Sequence, residues 1–140
     1  MKYIFFGTPV FAAMVLARLV GHGMPPLAVV ANPDRPTGRR QVVTPPPVKA
    51  IAEAGRIPIL QPEHLGAIHE ELAAFEADFF LIAAFGRIIP RSIFSLPPYG
   101  TLGIHPSLLP QHRGASPIQA AILSGEPGTG VSLFLVDEQV

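Results

Sequence analysis

Residues 2–31, KYIFFGTPVFAAMVLARLVGHGMPPLAVVA, decide the fold class. Lys2 to Gly7 is a compact apolar run of strand length. Thr8 is a good N-cap residue and Pro9 suits a first helical turn, so Val10 to Val20, apolar all round, reads as a buried helix. Gly21-His22-Gly23 stops it, and the β-branched run Leu27 to Ala31 is a second strand. A strand, a crossover helix and a strand of these lengths pair in parallel. The alternation continues with helix Val48 to Ala54, strand Ile57 to Leu60, and helix Ala67 to Phe75 carrying Glu70, Glu71 and Glu76 outward. Next come a nearly all-apolar central strand, Asp78 to Ala84, a short helix over Ser92 to Leu96, and strand Thr101 to His105. A Ser116/Gln119 capping box opens helix Pro117 to Ser124, and Val131 to Val136 is the last strand. This order predicts an open, mostly parallel, doubly wound α/β sheet. Pro33, Pro36, Pro45, Pro46 and Pro47 remove backbone donors from Asn32 to Pro47, which is expected to be a long exposed loop without regular structure.

A length of 140 residues suits one core. With no cysteine, a disulfide framework, a thiolate zinc site and a cysteine nucleophile are excluded. No apolar run approaches the roughly 18 residues of a membrane span, and no cleavage site follows the first strand, so a cytoplasmic protein without a membrane partner is expected. Charged residues are 14 % of the chain against a usual level of about 25 %, which suggests surface that is normally covered. The balance of 10 basic and 10 acidic residues hides an asymmetry: residues 1–70 hold 7 basic and 4 acidic side chains, residues 71–140 hold 3 and 6.

Ligands of such sheets sit beyond the carboxyl ends of the strands. That singles out Gly7-Thr8-Pro9, the Asn32 to Pro47 loop, Phe85 to Pro90 and His105 to Pro117. His105 stands directly at a strand end, where an imidazole can exchange protons near neutral pH; a structural histidine bonded to a loop carbonyl is the competing reading. His22, His64, His69 and His112 are expected to face solvent on turns or helices. The turn Gly125 to Gly130 precedes a strand, so it is no dinucleotide fingerprint, and no phosphate-cradling Gly-Lys-Ser/Thr loop exists. No His/Asp/Glu group has metal-ligand spacing, and no metal is expected. Arg35, Arg39 and Arg40 cluster on the proline-rich loop with Lys49 beyond, a set suited to phosphate contacts, though an ordinary solvated loop would also carry such charge.

His105-Pro106-Ser107-Leu108-Leu109-Pro110, then Arg113-Gly114 and Pro117-Ile118-Gln119, resembles the signature of the folate-dependent formyltransferases. Gly7-Thr8-Pro9 with Phe11-Ala12, and Pro33-Asp34-Arg35-Pro36-Thr37-Gly38-Arg39 leading to Pro47-Val48-Lys49, resemble the branch of that family that acts on methionyl-tRNA. The resemblance spans the whole chain. It implies a Rossmann-like α/β catalytic domain over residues 1–140, truncated at its C-terminal end and lacking the family's C-terminal tRNA-binding barrel. It implies formyl transfer from 10-formyltetrahydrofolate to the α-amino group of initiator methionyl-tRNA, with a monomeric full-length enzyme and an inactive fragment. Folate would lie against Phe85, Gly86, Ile88, Ile89 and Pro90, the tRNA acceptor end against Arg35, Arg39 and Arg40, and His105 would be catalytic. Ser107, Leu108, Leu109, Pro110, Arg113 and Gly114 would shape the histidine loop.

The family's catalytic set is an Asn-x-His motif and a later Asp. Gly103 stands at the Asn position, and the Asp aligns just after Val140. Asp137 comes too early for that role. Positioned donors stabilise the oxyanion that forms as the amine attacks. If the missing donor limits the rate, Gly103→Asn is expected to raise turnover; if water or loop amides replace it, the change should do little. Two other functions stay open at this point: formyl transfer to a sugar amine or to glycinamide ribonucleotide, and a non-catalytic folate- or RNA-binding module.

Overall fold

The computed structural model describes residues 1–138. Its six-stranded sheet runs, edge to edge, β5 (Ile59–Leu60), β2 (Ala28–Val30), β1 (Tyr3–Gly7), β6 (Phe79–Ala83), β7 (Thr101–His105) and β8 (Ser132–Leu135). All neighbours are parallel except β7 and β8, which are antiparallel. The expected doubly wound α/β sheet of Rossmann type is therefore the fold. β1 and β6 pair over five residues, Tyr3 against Phe79 through Gly7 against Ala83.

Successive β1 side chains feed two separate cores, because side chains of a strand alternate between faces. Tyr3 and Phe5 join Ala12 and Leu16 of α1 (Val10–Gly21) and Val48 and Ala52 of α2 (Pro47–Ala54). Ile4 and Phe6 join Leu72 of α3 (His69–Ala74), Phe80, Phe85 and Ile93 of α4 (Arg91–Phe94). The fifth helix, α5, covers Pro117–Leu123. No helix among the described residues is long and apolar enough to cross a membrane.

Several local expectations change. Thr8 does not cap α1: the N-cap is Pro9 and no side chain bonds there, because the Thr8 hydroxyl is drawn to the Phe85 carbonyl instead. The forgone cap is worth about 1 kcal/mol, less than the roughly 1.5–3 kcal/mol returned by burying Leu16. Nor is α1 buried all round, since Val10 and Met14 are each 63 % exposed. Its stop is a Schellman turn: Gly23 takes φ +73°, Gly23 N–H donates to the Val20 carbonyl and Met24 N–H to that of Leu19. Ser116 is the N-cap of α5, yet no capping-box side chain bonds there. The third helix begins as a 3-10 turn over Leu65–Ile68 before α3.

The proline-rich segment is not structureless. β3 (Arg35–Thr37) and β4 (Val42–Thr44) form an antiparallel hairpin, with Pro36 opposite Val43. Alternate residues of an antiparallel ribbon make no ladder bond, so one proline is compatible with it. Thr37 and Thr44 hydroxyls bond across the ribbon at 2.6 Å, and Gln41 N–H closes the turn on the Gly38 carbonyl.

Gly7 ends β1 where the chain turns into α1. A Cβ there would lie 2.6 Å from Ala12 Cβ, 2.7 Å from Phe5 Cε1 and 2.9 Å from the Ala83 carbonyl oxygen. Gly7→Ala is expected to destabilise the protein by about 1–3 kcal/mol through overpacking. Urea unfolding of the full-length protein checks this, and an unchanged midpoint would refute it.

Candidate active site

The strand order runs outward from β1 in one direction and from β6 in the other, so the crevice between their carboxyl ends is the switch point of the sheet. A cleft of about 510 Å³ lies there, lined among others by Thr8, Asn32, Phe85, Gly86, His105 and Pro117. Its wall is tied together at one atom. The Phe85 carbonyl accepts from Thr8 Oγ1 at 3.2 Å and from Asn32 Nδ2 at 3.1 Å, and Thr8 Oγ1 accepts from Asn32 N–H at 3.3 Å. Loops after β1, β2 and β6 are thereby pinned to one another. Asn32 Oδ1 is buried without a hydrogen-bond partner among the described residues.

His105 ends β7 half-buried. Its Nε2 lies 2.8 Å from the His112 carbonyl oxygen. A carbonyl can only accept, so Nε2 carries the proton and Nδ1 is the lone-pair nitrogen of the neutral ring. The Phe134 ring stands edge-on to it at 6.4 Å. Residues 105–112 are held from inside: buried Ser107 donates through Oγ to the Gln111 carbonyl at 2.6 Å, and Gln111 N–H donates to the Leu108 carbonyl. Ser132 of β8 pins the loop from outside, donating to the Ser107 carbonyl at 2.8 Å and accepting from Leu109 N–H at 3.0 Å. Leu108, Leu109, Pro110, Arg113 and Gly114 remain on the surface of that loop.

His112 corrects its expectation. It is not a solvent-facing turn residue: its side chain is 16 % exposed, and its Nε2 lies 2.8 Å from Glu126 Oε1. His22 and His64 are exposed as expected.

The residues expected at folate are divided between two grooves. Phe85 and Gly86 line the cleft, whereas Gly86, Ile88, Ile89 and Pro90 line a neighbouring groove of about 760 Å³ that also holds Asp137. The two meet at Gly86 and Gly114. A third groove, of about 530 Å³, brings His105, Leu109, Arg113, Gly114, Phe134 and Asp137 together, so Asp137 shares a groove with the histidine. The Asp expected after Val140 lies outside the described residues.

Arg35, Arg39 and Arg40 line none of these grooves; they are exposed on the β3–β4 hairpin, which follows β2 and so rises from the same edge of the sheet as His105. A clasp closes its base. Lys49 Nζ donates to both Asp34 oxygens at 3.0 and 2.9 Å, and Gln61 Nε2 bonds Asp34 Oδ1 at 2.7 Å and the Asn32 carbonyl at 2.9 Å. Gln61 first, and then Lys49, hold the Asp34 carboxyl below the usual carboxylate range. Sequence reading missed Asn32, Gln61, Glu126, Ser132 and Phe134, whose partners lie 14 to 53 residues away along the chain where they bond at all.

The family model described as Formyl transferase matches residues 1–140. Methionyl-tRNA formyltransferase of Halalkalibacterium halodurans is 46 % identical over 100 % of this chain and 45 % of that protein. The enzyme of the same name from Chloroflexus aurantiacus is 47 % identical over 98 % of this chain, again 45 % of that protein. The chain thus spans under half the length of these relatives. Among solved structures, glycinamide ribonucleotide transformylase 1 of Geobacillus kaustophilus superposes with a TM-score of 0.74 at 24 % identity, over 99 % of this chain and 76 % of that one. A formyltetrahydrofolate deformylase of Pseudomonas syringae gives 0.73 at 17 % identity, over 98 % and 46 %. Likeness at those identities speaks to the fold.

Gly103 has a steric reason that sequence did not reveal. A Cβ there would lie 2.3 Å from Phe134 Cζ and 2.4 Å from Cε1, so the ring beside His105 fills the space of a side chain. Gly103→Asn is therefore expected to lower turnover and to destabilise by about 1–3 kcal/mol, against the rise that a missing donor alone would predict. Steady-state kinetics and urea unfolding of the full-length variant decide; higher turnover at unchanged stability would refute the steric account.

The Asp34 clasp has its own titration. A carboxylate with a lowered folded pKa stabilises above its unfolded value, and that contribution fades as pH falls through the folded value. ¹³C NMR of Asp34 should give a midpoint below the ordinary value of about 3.9, and Gln61→Ala should raise it. An ordinary midpoint in the unaltered protein would mean that the clasp does not hold in solution.

Proposed function

The chain belongs to the formyl transferase family, and from that premise we propose that it is the N-terminal catalytic part of an enzyme that formylates initiator methionyl-tRNA with 10-formyltetrahydrofolate. One observation carries the acceptor: a clasped, exposed hairpin bearing Arg35, Arg39 and Arg40 at the same sheet edge as His105. Guanidinium groups suit the phosphates of a nucleic acid, and three of them on one exposed hairpin exceed what the single phosphate of a glycinamide ribonucleotide would need. Identity of 46–47 % to enzymes named for methionyl-tRNA supports the same reading.

In this reading folate lies along Phe85, Gly86, Ile88, Ile89 and Pro90, across the two grooves that meet at Gly86. The amine nitrogen attacks the formyl carbon, a C–N bond forms and the carbonyl π pair moves to oxygen. His105 Nδ1, the lone-pair nitrogen, takes the proton that the amine must lose; the imidazolium then returns a proton to the departing folate nitrogen as the oxygen pair reforms the carbonyl. General acid–base catalysis of this kind contributes about 10²–10⁴ in rate. Ser107, Leu108, Leu109, Pro110, Arg113 and Gly114 hold the loop that aims the ring. The remaining length of the protein would supply the later Asp and a tRNA-gripping barrel domain, and the whole would act in the cytoplasm.

The full-length protein is expected to form formyl-methionyl-tRNA from 10-formyltetrahydrofolate. Formylation of glycinamide ribonucleotide or an amino sugar, with the tRNA untouched, would overturn the acceptor; folate binding with no transfer to any acceptor would leave a binding module. Arg39→Ala should raise KM for tRNA while flattening its salt slope by about 0.7–1, and an unchanged KM would remove the hairpin from tRNA binding.

A further inference from the structure

His112 and Glu126 are absorbed by none of the roles above, yet both bear on His105. We infer that they are positioning residues: the His112–Glu126 contact holds the backbone carbonyl that fixes the tautomer and orientation of the His105 ring. This rests on the reading of His105 as the proton-transferring group.

Among the described residues the ring of His105 is oriented by one hydrogen bond, from Nε2 to the His112 carbonyl at 2.8 Å. His112 itself sits at φ +51°, a left-handed conformation that costs a residue other than glycine about 1–2 kcal/mol. Such a backbone persists where its surroundings hold it. Here the holder is Glu126, on the turn after α5, whose Oε1 meets His112 Nε2 at 2.8 Å in a part-buried setting. The His112 ring must donate to that carboxylate in its neutral as well as its charged form, since a carboxylate only accepts. The chain of contacts thus runs from Glu126 to the His112 ring, through the His112 backbone, to Nε2 of His105. Its product is a lone pair reserved at Nδ1. If Nδ1 carried the proton instead, the ring could not accept one from the amine at that atom. A helix-following turn with no chemistry of its own thereby acquires a part in aligning the base.

The test uses the full-length enzyme labelled with ¹⁵N-histidine at about pH 8.5, above the ordinary imidazole pKa of about 6.5. In the unaltered protein the His105 signals should report one tautomer, protonated at Nε2; a mixture, or protonation at Nδ1, overturns the proposal without any variant. Glu126→Ala should convert those signals to an exchange average and lower kcat on the order of 10- to 100-fold, with KM for both substrates nearly unchanged. Glu126→Gln, which keeps an acceptor oxygen, should restore the single tautomer and most of kcat. A single Nε2–H tautomer surviving in Glu126→Ala would show that the pair is not needed. Because the tautomer is read without substrate, a failure of the positioning pair is separable from a failure of formyl transfer, which would appear as an inactive unaltered enzyme.

Discussion

A parallel sheet buried on both faces has to send every crossover over one face or the other, and so delivers the carboxyl ends of its strands to a single edge. β1 and β6 impose that constraint here. Five paired residues carry Tyr3 and Phe5 into one core and Ile4 and Phe6 into the other, and the chain departs on both sides from this pair. The loops after β1, β2, β6 and β7 consequently share one crevice. Gly7, which has no room for a methyl group, allows α1 to leave β1 without widening it.

Loops gathered at one edge are not yet a site, because flexible loops position nothing. In this protein they are tied by a few polar atoms placed where apolar packing ends. The Phe85 carbonyl joins three loops through Thr8 and Asn32, while the Phe85 ring packs edge-on against Phe6 at 5.5 Å, so the pin is itself anchored in the core. Asp34 gathers Lys49 and Gln61 at the foot of the arginine hairpin. Ser107, Ser132 and the His112–Glu126 contact do the same for the histidine loop. The arginines stay exposed beyond that base.

The Gly103–Phe134 contact shows how a departure from a family pattern can be structural. Phe134 comes from β8, the antiparallel edge strand, and its ring takes the volume that a side chain on β7 would need while bordering His105. Gly103 and Phe134 are paired in register, so the two positions are coupled and neither can be reasoned about alone.

Much was determined by the sequence by itself. Apolar runs of strand length, helical runs between them and Gly/Pro punctuation are local signals, and they yielded the α/β class and the mostly parallel sheet. The His105 to Gln119 string and the Pro33 to Arg39 string pointed to the family because each is short and contiguous. What only the tertiary structure decided mostly involves partners far apart in sequence. Thr8 bonds Phe85 rather than capping a helix, His112 turns inward to Glu126, and a side chain at Gly103 would meet the Phe134 ring. The proline-rich stretch is the local case: it pairs into β3 and β4 across its own turn. Propensity weighs a residue against its neighbours along the chain. A hydrogen bond or a clash between residues well separated along the chain depends on where the fold brings them, and at Thr8, His112 and Gly103 that spatial neighbour settled the outcome.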